Sequence, residues 1–324
     1  MNEVYHIPAM LRETIESLNI RPDGTYVDVT FGGGGHSGAV LSRLGKGGRL
    51  FAFDRDIDAY ANAPEVIRQA QDGADAPVFT FVHSDFRYLS QWMDFYGVDK
   101  ADGILADLGV SFHHFDTAER GFSFRFEGPL DMRMNRNGGK TAADIVNTYA
   151  EEDIARVLYI YGELKQSRPL AKRIVRKREQ ASILTTEELV EAVVGKKVAI
   201  ENLNALQKKE LTLVFQALRI EVNDELGALR DMLEAALQLL APGGRLAVLT
   251  YHSLEDRLVK NFMRSGNMDG KIEKDFYGNI RTPFRLIEKG LTASEEEVAN
   301  NPRARSAKLR VAEKLGAGTG ITGK

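Results

Sequence analysis

The sequence predicts an α/β fold: a parallel sheet with helices on both faces and a helical insertion between its fourth and fifth strands. Two observations carry this reading. Short apolar runs bounded by turn signals alternate with helical patterns over the first third of the chain, and no comparable run occurs from about residue 115 to residue 210. A third observation, a Pro242-Gly243-Gly244 turn leading into a new apolar run, marks where the sheet resumes.

The elements follow in order. TYVDVTF (Thr25–Phe31) reads as a buried strand, and a helix begins near Gly38–Leu44. RLFAFD (Arg49–Asp54) reads as a second strand, followed by a helix after Asp58. Val78–Phe86 and Asp102–Gly109 read as strands three and four. A loop rich in Gly, Arg and Phe covers Arg120–Met134, and helical patterns follow at Ala142–Asn147, Glu151–Tyr161, Pro169–Glu179 and Thr186–Val194. Thr185 or Thr186 ahead of Glu187 and Glu188 resembles a helix N-cap. One long helical stretch spans Leu211–Leu240, then a turn and strand occupy Ala241–Ser253, and a helix spans Glu255–Arg264. Thr282–Lys289 and Ser306–Lys314 read as closing strands, and the tail from Gly316 is expected to fray. Residues 1–114 and 211–324 thus form one expected α/β domain, with 115–210 as the insertion.

A length of 324 residues exceeds the roughly 250–300 at which single cores stop growing, so two domains are expected. With no cysteine, disulfides, thiolate metal sites and cysteine nucleophiles are excluded. The first residues carry no signal-peptide pattern, and no run of about 18 apolar residues exists, so no membrane span is expected and a cytoplasmic location suits the chain. A net charge of −3 neither supports nor excludes a nucleic-acid partner, which would have to meet local basic patches.

The strongest local signal is Asp28-Val-Thr-Phe-Gly32-Gly33-Gly34-Gly35-His36, placed where a strand passes into a helix. Glycines there let backbone approach a ligand closely, at the edge where open parallel sheets bind cofactors. Gly33-x-Gly35-x-x-Gly38 fits the dinucleotide fingerprint, but four consecutive glycines satisfy many patterns. Asp28 would face a diphosphate unfavourably and suits the ammonium of a methionine moiety. The spacing Asp28-x-x-x-Gly32-x-Gly34 looks like the first motif of class I methyltransferases.

Asp54 ends strand two, where an acid can accept from both hydroxyls of a ribose, or cap the next helix. Asp85 and Phe86 end strand three, placed to flank an adenine or to serve as a turn acid and a core aromatic. Asp107 ends strand four, where a carboxylate can accept from the N–H of a poorly nucleophilic amine and aim its lone pair. His252, Ser253, Glu255, Asp256 and Arg257 cluster at the end of strand five. No Gly-x-Ser-x-Gly elbow supports a hydrolase there, and His252 has no second ligand at metal spacing. His252 reads as a substrate contact, with Ser253 near the helix start.

Taken together these stretches resemble the ribosomal RNA small-subunit methyltransferase H, or MraW, family. The match rests on Thr30–Ser37, Phe53–Asp56, Asp102–Ser111, Arg120–Phe124, Gly128–Met134, Tyr161–Glu163, Phe215–Leu226, Pro242–Arg257 and Asn301–Arg310, in one order along nearly the whole chain. The resemblance implies a class I (Rossmann-like) methyltransferase sheet with a helical insertion domain assigned to RNA recognition. It implies S-adenosyl-L-methionine as cofactor and N4-methylation of one cytidine in small-subunit ribosomal RNA near the decoding centre, without a metal. By motif position the cofactor contacts fall on Gly34, Gly35, His36, Asp54, Phe86, Asp107 and His114, with Asp107 and His252 as the catalytic candidates. His114 stands where the family has a Gln, and KKELTLV (Lys208–Val214) departs from the family's His-Pro-Ala-Thr-Arg. The segment Tyr161-Gly-Glu163 continues Leu-Lys rather than the family's Glu-Arg.

For RNA contact, Arg168, Lys172, Arg173, Arg176, Lys177 and Arg178 form a stripe able to track phosphates or simply to face solvent. Arg303 and Arg305 form a second patch, and the Arg120–Met134 loop with Phe122, Phe124 and Phe126 suits either base stacking or self-packing. An NAD-dependent oxidoreductase and an RNA-binding assembly factor with a vestigial pocket stand as alternatives. The sequence leaves the oligomeric state open, a homodimer included.

Overall fold

The structure is a computed structural model that describes residues 8–70, 76–109, 115, 117–274, 276–278 and 280–316. The chain divides into two compact units, 1–109 with 226–324, and 110–225. The sequence reading divides it instead at 114/115 and 210/211. The helix Ala205–Asn223 runs unbroken across the second of those positions, which accounts for the later boundary.

In the first unit, strands β1 (Thr25–Asp28), β2 (Arg49–Asp54), β3 (Val78–His83), β4 (Ala101–Asp107), β5 (Leu240–Thr250), β8 (Phe284–Thr292) and β9 (Lys308–Lys314) form one sheet. Their order is β3-β2-β1-β4-β5-β9-β8, with β1 to β5 parallel and β9 antiparallel to both its neighbours. Strands β6 (Glu273–Lys274) and β7 (Ile280–Arg281) make a separate antiparallel hairpin. The strand order reverses between β1 and β4, so this is the switch point at which open α/β sheets hold ligands.

Side-chain alternation explains why both faces are covered. Val27, Phe51, Phe53, Ile104, Ala106, Leu246 and Val248 enter one apolar cluster, with Leu89 and Met93 of α4 (Leu89–Phe95). Tyr26, Leu50, Ala52, Leu105, Ala247 and Leu249 enter the other. That second cluster includes Ile15 of α1 (Leu11–Ser17), Val40 and Leu41 of α2 (Gly35–Leu41), and Ala63 and Val66 of α3 (Ala63–Ala70). Strand ends differ from expectation at polar residues. The first strand stops at Asp28 rather than Phe31, and the third at His83, with a short 3-10 turn over Phe86–Tyr88. Helix α2 begins at Gly35 because left-handed Gly34 caps it, three residues before the expected start. The Pro242-Gly243-Gly244 turn lies inside β5 as an irregularity, where the register against β4 jumps from Ala101↔Leu240 to Gly103↔Arg245.

The second unit is helical. It contains α5 (Ala142–Thr148), α6 (Glu151–Ile160), α7 (Ser167–Arg178), α8 (Thr186–Val194) and α9 (Ala205–Asn223) around their own apolar cluster. Capping boxes start three of them, Thr141 with Asp144, Thr185 with Glu188, and Asn204 with Gln207. The expected single helix over Leu211–Leu240 is two, α9 and α10 (Glu225–Leu239), broken where Asp224 takes the left-handed conformation. After β5 come α11 (Ser253–Ser265) and α12 (Glu295–Asn300). Among the described residues no helix is long and apolar enough to cross a membrane.

Candidate active site

The glycine turn is built by two acids, Asp28 buried and Asp54 half-buried. Asp28 is 1% exposed, and its oxygens accept from the Thr30 N–H at 3.0 Å, the Thr30 hydroxyl at 3.3 Å and the Ser37 hydroxyl at 2.7 Å. Its part is to shape the turn from inside. Burial pushes its pKa up, against the hydrogen bond from Ser37 and the neighbouring His36. Asp54 accepts the Gly32 N–H and the Asp56 N–H, both at 2.8 Å, and burial raises its pKa to about 6 against those two bonds. Gly34 (φ 78°) needs glycine twice over. A Cβ would force a left-handed side chain and would sit 2.4 Å from Val66 and 2.9 Å from the Phe31 ring.

Asp107, at the end of β4, is the centre of the arrangement. Its N–H donates to the Thr30 hydroxyl at 2.6 Å, which ties β4 to the turn after β1. Its Oδ1 accepts from the Tyr251 hydroxyl at 2.6 Å, and its Oδ2 lies 3.6 Å from His36 Nδ1. Burial raises the Asp107 pKa, opposed by His36 and by the Tyr251 hydrogen bond. Burial and the same carboxylate push the Tyr251 phenol well above its usual value. The Asp107 side chain still keeps 24% of its surface exposed, while that of His36 keeps 6%. Among the described residues, His36 Nε2 is buried with no hydrogen-bond partner.

His252 caps α11 by position, and its Nε2 lies 3.1 Å from Glu255 Oε1, outside hydrogen-bonding alignment. Glu255 Oε2 accepts the Tyr251 N–H at 3.1 Å. Tyr251 and His252 open onto a recess of about 430 Å³ that Ser253, Arg257, Lys260 and Lys308 also line.

The sequence-named residues are thus partly gathered. Gly34, Gly35, His36, Asp54 and Asp107 meet at the ends of β1, β2 and β4. Phe86 is half-buried against the first apolar cluster. Asp85 is engaged elsewhere: it accepts the Arg87 N–H and pairs with Arg55 at 3.1 Å. His114 lies outside the described residues, as do the Arg303 side chain and the tail from 317. In the Arg120–Met134 loop, Phe122 is buried and Phe124 packs edge-on against Phe215, so both serve the insertion core, and Phe126 alone of the three is exposed. Tyr251 had no assigned role in the sequence. Its only signal was its place beside His252 at the end of a buried strand.

The MraW methylase family model matches residues 3–315. The chain belongs to the MraW methylase family. Proteins named ribosomal RNA small subunit methyltransferase H are similar to it along their whole length. That of Bacteroides thetaiotaomicron is 57% identical over 311 residues, covering 96% of this chain and 97% of the relative. That of Porphyromonas gingivalis is 55% identical over 318 residues, at 96% and 97% coverage, and that of Cytophaga hutchinsonii is 49% identical over 311 residues, at 96% and 100%. An MraW methylase draws its methyl group from S-adenosylmethionine, and the residues present fit that group. The turn at Gly32 leaves open space, with nothing but a backbone oxygen near a Cβ position. Asp54 and Asp107 offer carboxylate oxygens for hydroxyl and ammonium donors, and the orphaned His36 nitrogen supplies a further polar atom.

Proposed function

We propose that this chain methylates the exocyclic N4 amine of one cytidine in small-subunit ribosomal RNA, near the decoding centre, and that it works in the cytoplasm. The observation that carries the reading is Asp107, a partly open carboxylate held from two sides by Tyr251 and His36 at the switch point of the sheet. S-adenosylmethionine, when bound, supplies an electrophilic methyl group on a sulfonium. Gly34, Gly35, His36, Asp54, Phe86 and Asp107 would hold it, Asp54 through ribose hydroxyls and Phe86 against the adenine.

The N4 lone pair of cytosine is delocalised into the ring, so the protein's task is alignment. Asp107 accepts the N4–H, which turns the lone pair toward the methyl carbon. A well-aligned pair can remove on the order of 7–11 kcal/mol of barrier. As the amine takes up that methyl group, the Asp107 carboxylate would accept the surplus N4 proton. A carboxylate whose burial raises its proton affinity is better suited to that than a solvated one. The Tyr251 hydrogen bond fixes the orientation of that carboxylate, and His252 contacts the substrate from the adjoining recess.

The test is transfer of labelled methyl to small ribosomal subunits from cells lacking the enzyme, followed by nucleoside analysis. N4-methylcytidine is the expected product, and label in any other nucleoside, or none, rejects the reading. Calorimetry that finds NAD bound and S-adenosylmethionine unbound would restore the oxidoreductase alternative.

A further inference from the structure

The helix α7 (Ser167–Arg178) sits in the most basic stretch of the chain. From Leu164 to Arg178 there are seven lysines and arginines and no acid. The structure sorts them into two groups. Arg173 pairs with Glu210 at 3.6 Å and Lys177 with Glu191 at 2.9 Å. Arg178 donates to the carbonyls of Val146 and Tyr149 at 2.8 and 2.7 Å, closing the end of α5. These three cations hold the helical unit together.

Arg168, Lys172 and Arg176 do something else. All are exposed, none has an acid or carbonyl partner among the described residues, and Lys165 is exposed just ahead of them. The buried positions Ser167, Leu170, Ala171 and Ile174 take the helix's inner side. Spacing of four residues puts the three cations in a row about 6 Å apart and about 12 Å long. Just before the turn into α7, Tyr159 ends the exposed side of α6 at 63% exposure, beside Ile160 at 45%. A row of unneutralised cations, with an exposed aromatic nine residues ahead of it in the chain, supplies the two elements that bind single-stranded nucleic acid, phosphate contact and base stacking.

We infer that Arg168, Lys172 and Arg176 form a phosphate track for the ribosomal RNA strand, with Tyr159 as a stacking position at its end. This rests on the proposed RNA substrate. It assigns the contact to one edge of one helix and leaves Arg173, Lys177 and Arg178 out of it.

The test measures binding of the full-length protein to small subunits from cells lacking the enzyme, across a salt series, beside methyl transfer. Replacing Arg168, Lys172 and Arg176 together by alanine should weaken binding at least tenfold. It should also lower the slope of log affinity against log salt by about two to three, roughly one for each phosphate no longer neutralised. S-adenosylmethionine binding should stay unchanged, and methyl transfer should show a raised KM for the subunit with kcat kept. The R168K/R176K protein, which keeps the charge, should bind within about twofold of wild type. A charge-matched control, with the exposed Lys196, Lys208 and Lys209 replaced by alanine, should keep the wild-type slope. Equal losses in the control, an unchanged slope in the triple variant, or competition by polyglutamate as strong as by RNA would each overturn the track. The binding measurement needs no methyl transfer. A wild-type protein that makes no N4-methylcytidine therefore rejects the function, while a triple variant that binds like wild type rejects the track alone.

Discussion

The glycine turn and helix α7 handle charge in opposite ways. Around the turn, Asp28, Asp54 and Asp107 are placed where ionisation is costly, and each is surrounded by donors from its own unit. On α7, Arg168, Lys172 and Arg176 stand in water with no acid opposite them among the described residues. Burying a charge costs several kcal/mol unless it is hydrogen-bonded, whereas an exposed charge costs little and contributes little to stability. A preorganised site needs the first arrangement. A surface that meets a long polyanion needs the second.

The largest expected effect separates chemistry from fold. Asp107→Asn keeps an acceptor for the Tyr251 hydroxyl and nearly the same shape, but it cannot take a proton. Methyl transfer should fall about 10²–10⁴-fold in kcat, the range for losing a positioned acid or base. Thermal unfolding should shift little. A variant that retains wild-type kcat would remove Asp107 from the reaction and leave it a structural acid like Asp28.

Gly34→Ala comes next and sharpens the contrast in stability. It combines a left-handed side chain, about 1–2 kcal/mol, with contacts at 2.4 and 2.9 Å that force Val66 or Phe31 to move, about 1–3 kcal/mol. A drop of about 2–5 kcal/mol in denaturant unfolding is expected, with weaker S-adenosylmethionine binding. Arg176→Ala should cost under about 0.5 kcal/mol in the same measurement. Equal losses at the two positions would mean that α7 is as preorganised as the turn.

The contrast also explains what could be read from the sequence. Buried strands are apolar runs, and the acids that end them stand out against that background, so Asp54 and Asp107 were legible at the right ends of β2 and β4. The Thr185–Glu188 cap was legible because it is local. What was hidden depends on partners far along the chain. Tyr251 lies 144 residues from Asp107, and no spacing rule joins them. The six cations of the stripe looked alike until Glu191 and Glu210, from other helices, claimed two of them. The break at Asp224 rests on one left-handed residue within an otherwise helical pattern.

The smallest effect concerns Asp54, and its sign is fixed by the raised pKa of about 6. A carboxylate with a folded-state pKa above its ordinary value of 3.8 binds more protons folded than unfolded between those limits. Its contribution to stability therefore falls as pH rises from about 4 to about 6 and is flat above. Ligand binding runs the other way. Hydroxyl donors favour the charged form, so a ribose on Asp54 lowers its pKa, and binding below about pH 6 must expel a proton. S-adenosylmethionine affinity should then rise with pH, up to about tenfold per unit below about pH 6, and level off above it. Asp54→Asn should bind more weakly with a flatter pH profile in calorimetry between about pH 5 and 8. A wild-type affinity that does not change across that range would mean that Asp54 serves only the Gly32 and Asp56 N–H groups. It would then belong with Asp28 among the acids that build the turn, and not with Asp107 among those that use it.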